Sequence, residues 1–319
     1  MLITKLLFIC IIVVLFIIII CSFNLLLYRY DIFNYFEDGN IVYDSNFSLP
    51  GYYQLLHNNT NYKYTPGGIP KIIIKTSWQK INELPREVQG ALKKTISLNP
   101  DYTLYYFDND DVESFMKDFS LEAYNAYKSL IPGAYRADLF RYCFIYKYGG
   151  CYSDIGHVMK QSFDYIVSDA NIVIIKDTDI FFRFYGIHNA LICSTAGHQF
   201  FKQVIDSCVK NINKRYYGNT AVDITGPTFF YKEYRCYFEQ ICRKDTQINS
   251  HDVTIGNNQH NCEKCKIKML LLNRNYILDH LRNKLIRVKF NNYYSVMYPR
   301  SKNKIHYSEL WYRKKVYKQ

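Results

Sequence analysis

Between Pro132 and Gly149 the chain sets charged residues inside an apolar stretch, and this limits what it can fold into more than any other feature. Pro132 suits the first turn of a helix and Gly149 can end one, so Ala134 to Tyr148 predicts a helix of about four turns. Leu139 to Tyr146 is apolar apart from Arg141. Asp138 and Arg141, three apart, share one side of that helix, whereas Arg136 and Lys147 share another. Charges facing a crowded interior need partners. One reading is a structural Asp138 to Arg141 ion pair. The other is that both grip a polar ligand. Cys151-Tyr152-Ser153-Asp154-Ile155 follows Gly149-Gly150 as a short strand with a carboxylate at its end. Ligands of open α/β sheets gather outside the carboxyl ends of strands, and this placement favours the ligand.

The rest of the pattern alternates. Ile69 to Thr76 is a β-branched run entered by Gly67, Gly68 and Pro70, and it predicts a strand buried on both faces, with Trp78 just past its end. Pro85 to Leu98 predicts a helix and Thr103 to Phe107 a strand; Asp108-Asn109-Asp110-Asp111 then caps a further helix. Asn171 to Ile175 and Ala190 to Ser194 read as strands, Gly197 to Val209 as a helix, and Ile224-Thr225-Gly226-Pro227 as a turn opening another. The expectation is an α/β domain.

Ahead of it, Leu6 to Leu27 is apolar except for Ser22 and Asn24. About 22 such residues cross a hydrocarbon core of roughly 30 Å as a helix, and neither a short core nor a small-residue cleavage site marks a removable signal peptide. Lys5 and Arg29 barely decide the orientation. The glycosylation patterns Asn46-Phe47-Ser48 and Asn58-Asn59-Thr60 favour a cytosolic tail and a lumenal body. The expected organisation is a tail and transmembrane signal anchor over 1–28, a stem over 29–66 and one catalytic-sized domain over 67–319. A single-pass type II protein of the Golgi or another secretory compartment fits this plan. Of the ten cysteines, eight lie in the body, where an oxidising lumen would let some pair. Cys236, Cys242, Cys262 and Cys265 have poor spacing for a four-thiolate zinc site, and disulfides or free buried thiols suit them better. The net charge of +12 is concentrated late, with seven Lys or Arg and one Glu between Arg300 and Gln319. Such a tail attracts anions or is simply solvated, and the apolar anchor disfavours nucleic acid as the partner.

Four separated blocks carry a resemblance. They are Ile69-Pro70-Lys71-Ile72-Ile73 with Trp78, Arg136-Ala137-Asp138-Leu139-Phe140-Arg141-Tyr142 running into Gly149-Gly150-x-Tyr152-x-Asp154, Gly186-Ile187-His188-Asn189 to Ser194 before Gly197-His198, and Thr225-Gly226-Pro227. Their order over about 160 residues resembles the glycosyltransferases with a DXD sugar-binding region, among them Golgi α-1,6-mannosyltransferases and capsular polysaccharide transferases, and more distantly the large glucosylating toxins. The resemblance implies a GT-A type fold, a nucleotide-diphosphate sugar donor, a glycan or glycoprotein acceptor, and Mn²⁺ or Mg²⁺ bridging the diphosphate to the DXD acids. Asp154 would be the first acid and, with Asp138, the catalytic pair. Trp78, Arg136, Asp138, Arg141, Tyr152, Asp154, Asn189 and Trp311 would hold the nucleotide sugar, with Trp78 stacking on the base. His306, in a His306 to Trp311 segment like the family's C-terminal one, would join Asp154 on the metal. Retention of configuration is the family's usual outcome.

Two departures stand out. Gly156 occupies the third DXD position, followed by His157. Either Asp154 and His306 suffice together with phosphate oxygens and waters, or His157 substitutes, or catalysis has been lost and a sugar-nucleotide or glycan-binding membrane protein remains. Ile74 replaces a common His of the first strand, and Trp78 lies one place later than usual. A second Asp-x-Asp, Asp177-Thr178-Asp179, lacks the Gly-Gly-x-Tyr context and reads as chance.

Overall fold

The computed structural model describes Leu15 and residues 44–57, 68–178, 184–245, 266–273, 275–290, 293–297 and 305–319. The proposed anchor 6–27 (apart from Leu15), the acceptor Asn58, and Cys262 and Cys265 lie outside them. Among the described residues no helix is long and apolar enough to cross a membrane.

In chain order, helix α1 (Tyr52–His57) precedes β1 (Ile72–Thr76), α2 (Arg86–Leu98), β2 (Thr103–Phe107), α3 (Asn109–Phe119), α4 (Leu121–Ser129), α5 (Gly133–Tyr148) and β3 (Gly150–Ser153). Then come β4 (Val158–Met159), α6 (Phe163–Val167), β5 (Ile172–Thr178), β6 (Phe184–Ser194), α7 (Gln199–Asn213) and α8 (Pro227–Asp245). The last elements are β7 (Ile267–Asn273), β8 (Tyr276–Leu278), β9 (Lys284–Arg287), α9 (Tyr293–Met297) and α10 (Tyr307–Tyr312). The strands form one mixed sheet in the order β2-β1-β3-β6-β5-β7-β8-β9-β4.

Connection length explains the mixture. Helices link β1 to β2 and β2 to β3, long enough for parallel crossovers, and both pairs with β1 are parallel. Between β5 and β6 only five residues intervene, so these strands pair antiparallel. The alternating reading therefore holds for the first half, whereas in the second half β5 pairs parallel with β7 and the other pairs are antiparallel. The predicted strands and helices up to α8 are present within a few residues, with β6 beginning six residues earlier than read. Helices α1, α4 and α6, strand β4 and everything from β7 onward went unread, because short strands of mixed polarity and helices of one or two turns carry little periodicity.

Helix α3 starts on a capping box in which the Asp108 carboxylate accepts from the main-chain N–H groups of Asp110 and Asp111. Helix α5 runs through the core, with Leu139, Phe140, Tyr142, Phe144 and Ile145 fully buried. Phe140 meets Phe115 edge to face at 5.3 Å, and Tyr142 stacks on Phe230 at 5.1 Å, which orients α5 against α3 and α8. It ends at Gly149, whose φ of +67° is left-handed backbone. A Cβ there would lie 2.7 Å from Ala196 N and 2.8 Å from Ser194 O, so only glycine lets β3 begin directly below the helix.

Residues 44–57 are part of the same unit as the rest, Asp44–Gln319, because Tyr52 and Leu55 enter the core and Tyr52 N donates to Asp111 Oδ1 at 3.0 Å. Cys143, Cys151, Cys193 and Cys208 are buried free thiols, and Cys236 is free and exposed.

Candidate active site

Two charges in the middle of α5 organise the site. The Asp138 carboxylate lies 3.4 Å from the Arg141 guanidinium, and their side chains are 11% and 7% exposed. Asp138 Oδ1 also accepts from Asn189 Nδ2 at 2.9 Å, and Oδ2 from Thr225 Oγ1 at 2.8 Å. The same Asn189 amide donates to the Tyr142 hydroxyl, which donates in turn to the Thr225 carbonyl. One carboxylate thus ties α5 to β6 and to the turn opening α8. Burial pushes the Asp138 carboxyl up to about 6, against the lowering pull of Arg141 and the Thr225 hydroxyl.

Arg141 carries the connection onward. It donates to the Asn189 carbonyl at 2.6 Å and to Asp154 Oδ1 at 3.3 Å, and lies 4.3 Å over the Tyr152 ring. The Tyr152 hydroxyl donates to the same Oδ1 at 2.9 Å. Both bonds fall on one oxygen, and the Asp154 side chain is 40% exposed, so Oδ2 is presented outward. The Asp138 ion pair and the partly exposed Asp154 carboxylate are joined through one guanidinium.

The opposite face of the sheet supports Asp154 from below. Side chains alternate along a strand, so Lys75 of β1 and Ser153 of β3 point away from Tyr152. Lys75 is fully buried, and its ammonium donates to Ser153 Oγ at 3.1 Å and to the Asp154 carbonyl at 3.0 Å. Burial brings this lysine down to about 7, with the Asp154 charge holding it up in part. Ser153 Oγ is also 3.0 Å from His157 Nδ1. His157 Nε2 and His188 Nδ1 are buried with no hydrogen-bond partner among the described residues. Burial holds both imidazoles neutral, helped by the positive charges of Lys75, Arg141 and Lys289 at His157 and of Arg141 and Lys289 at His188.

The fold therefore brings together Asp138, Arg141, Tyr152, Asp154 and Asn189. Trp78 is half-buried just beyond β1. Arg136 is turned elsewhere: its Nε donates to the Leu130 carbonyl at 2.7 Å and its guanidinium lies over Tyr127. Trp311 donates from Nε1 to the Tyr217 carbonyl at 2.6 Å with the Lys314 ammonium over its ring, so it packs the C-terminal segment onto the body. His306 is exposed and caps α10, its Nδ1 2.7 Å from Ser308 Oγ.

A Cβ on Gly156 would lie 2.6 Å from Cε2 of Tyr293, so the ring of α9 occupies the room a second acid would need. Among the described residues no three of His, Cys, Asp and Glu come together as a metal-holding group, so Asp154 and His306 belong to none. A hard divalent ion at a diphosphate is held by one or two carboxylates together with phosphate oxygens and waters, so the Asp154 carboxylate would supply a side-chain ligand while Gly156 supplies none.

Lys75, His188, Lys289 and Tyr293 are site residues that the sequence reading missed. Lys75 left a signal, since a lysine inside a strand buried on both faces must have polar partners. Lys289 and Tyr293 left none, because the segment after β9 has no pattern tying it to β3.

Residues 85–182 match the family described as a glycosyltransferase sugar-binding region containing DXD motif. Mannosyl phosphorylinositol ceramide synthase CSH1 of Saccharomyces cerevisiae is 30% identical over 186 residues, 56% of this chain and 46% of that protein. Inositol phosphoceramide mannosyltransferase 3 of Schizosaccharomyces pombe is 30% identical over 178 residues, 54% of this chain and 47% of that protein. The matches thus span about half the length of these curated relatives. Among solved structures, the PaToxG glycosyltransferase aligns with a TM-score of 0.44 and 15% identity, over 60% of this chain and 79% of that one.

Proposed function

We propose that the chain, whose residues 85–182 match the glycosyltransferase sugar-binding region containing DXD motif, transfers a hexose or N-acetylhexosamine from a nucleotide-diphosphate sugar to a hydroxyl group, on a GT-A type fold. In this reaction the bond from the anomeric carbon to the diphosphate oxygen breaks, and that oxygen keeps the electron pair. The acceptor oxygen bonds to the anomeric carbon and passes its proton to the departing diphosphate. The observation that carries the reading is Asp154 at the end of β3, half out of the protein and held on one oxygen by Arg141 and Tyr152.

Each residue has a task that follows from its surroundings. Asp154 Oδ2 faces the donor, and Arg141 and Tyr152 fix the carboxylate so that no reorganisation is needed at the moment of transfer. Both Asp138 oxygens are engaged within the protein, so Asp138 acts as a positioning residue that holds Asn189, Thr225 and Arg141 in place. Trp78, just past the end of β1, is the aromatic face offered to the base. Retention of configuration is the proposed stereochemical outcome, because Asp138 is buried and Asp154 is tied, which leaves neither as a dedicated base for an inverting water or hydroxyl.

The printed names of the relatives make mannose the first sugar to test and an inositol phosphoceramide the first acceptor, beside glycan and glycoprotein hydroxyls. The apolar stretch 6–27 would anchor the chain as a single-pass type II protein facing a secretory lumen, and the exposed Asn46 of Asn46-Phe47-Ser48 suits that side. The test is a screen of the detergent-solubilised full chain against GDP- and UDP-sugars with these acceptors. Turnover that disappears in Asp154→Ala supports the reading. One observation favours a second reading, a silent sugar-nucleotide-binding protein: the Tyr293 ring beside Gly156. Donor binding without turnover on any acceptor would select it.

A further inference from the structure

We propose that the donor diphosphate is met in this site by the ammonium group of Lys289, in place of a cation held by a second carboxylate. The inference rests on the nucleotide-sugar reading above and says how the site accommodates that ligand's charge. Three observations carry it.

First, Gly156 and Tyr293 are complementary. The ring of Tyr293 lies so near the Gly156 backbone that any side chain there would displace it, with a Cβ 2.6 Å from Cε2 and 3.0 Å from Cδ2. The ring is itself held edge to face against Phe290 at 5.2 Å and Tyr294 at 5.4 Å. The segment after β9 therefore takes the place of the second acid.

Second, the same segment brings a cation. Lys289 Nζ lies 5.9 Å from the centre of the Tyr293 ring and 4.4 Å from that of Tyr294, whose hydroxyl accepts from it. Through Tyr293, whose ring lies against Gly156 two residues beyond Asp154, Lys289 is carried to the loop that follows β3, and its charge acts on both His157 and His188. The other charged groups acting on these imidazoles are Lys75 and Arg141 at His157, and Asp154, Asp177 and Arg141 at His188.

Third, the two cations that contact Asp154 are committed within the protein. Lys75 is fully buried on Ser153 Oγ and the Asp154 carbonyl, and Arg141 is buried on Asn189 and Asp154. Lys289 is exposed on a flexible four-carbon stem, which suits a point charge that must follow a mobile diphosphate.

The experiment is calorimetric titration of the detergent-solubilised full chain with GDP and with UDP, in EDTA and in Mn²⁺. Binding of one of them in EDTA is expected, weakened about ten-fold or more by Lys289→Met and retained within about three-fold by Lys289→Arg. Gly156→Asp combined with Tyr293→Ala is expected to make binding depend on Mn²⁺, while Tyr293→Ala alone does not. Wild-type binding that requires Mn²⁺, or Lys289→Met binding as wild type does, overturns the Lys289 assignment and leaves the nucleotide-sugar reading standing. Absence of nucleotide binding with or without Mn²⁺ overturns both.

Discussion

The Lys75 ammonium donates to the main-chain carbonyl of Asp154 at 3.0 Å from beneath the sheet, while the Asp154 carboxylate is held on the other face by Arg141 and Tyr152. A single residue at a strand end is thus fixed from both sides, by backbone and by side chain. Lys75 is pulled down to about 7 by burial, far below an unfolded lysine near 10.4. Between these values the unfolded chain binds more protons than the folded one, so stability rises with pH. The denaturation free energy of wild type relative to Lys75→Met is expected to climb by a few kcal/mol in order of magnitude from pH 7 towards pH 10. Equal pH slopes for the two proteins would contradict the buried placement.

Asp138 shifts the opposite way. Burial raises its carboxyl to about 6, so the folded state holds a proton that the unfolded state releases near 3.9. Stability contributed by this group is therefore complete below pH 4 and declines towards pH 6. Asp138→Ala leaves the Asn189 amide, the Thr225 hydroxyl and the Arg141 guanidinium short of a partner and is expected to cost roughly 3–5 kcal/mol. Urea unfolding across pH 4–7 measures both effects.

Asp154→Asn separates chemistry from folding. Its side chain is 40% exposed, so the melting temperature should move little, whereas turnover should fall by roughly 10²-fold or more if the carboxylate faces the reacting sugar. A variant with unaltered kcat and unaltered donor affinity would remove Asp154 from the site.

Gly149→Ala tests the junction that sets the site's geometry. The new methyl meets the Ala196 amide, the Ser194 carbonyl and Pro70 at 2.7, 2.8 and 2.9 Å, on left-handed backbone with φ +67°. The strain at φ alone costs about 1–3 kcal/mol, and the clash with backbone adds to it. Loss of soluble folded protein, or a melting temperature many degrees lower, is the expected result.

Much of this arrangement was readable along the chain. Asp138 and Arg141 three apart in an apolar helix, Gly149-Gly150, and Asp154 after a short strand are local patterns, and helix and strand periods turn them into shared faces. Trp311 and Arg136 show where such reading stops. Both belong to motif-like segments, yet one packs on the Tyr217 carbonyl and the other on the Leu130 carbonyl. Whether a polar side chain reaches a ligand or a neighbouring backbone oxygen depends on which element folds beside it.

The sequence by itself determined the α/β alternation of the first half, the buried pair on α5 and the carboxylate at the end of β3, because each follows from hydrophobic period and turn chemistry within a few residues. Only the tertiary structure decided that Lys75 lies under Asp154, that Asn189 and Thr225 close on Asp138, and that Tyr293 fills the space beside Gly156. These are meetings of residues 51 to 137 positions apart. They are fixed by strand order and by the packing of whole elements, which no local pattern encodes.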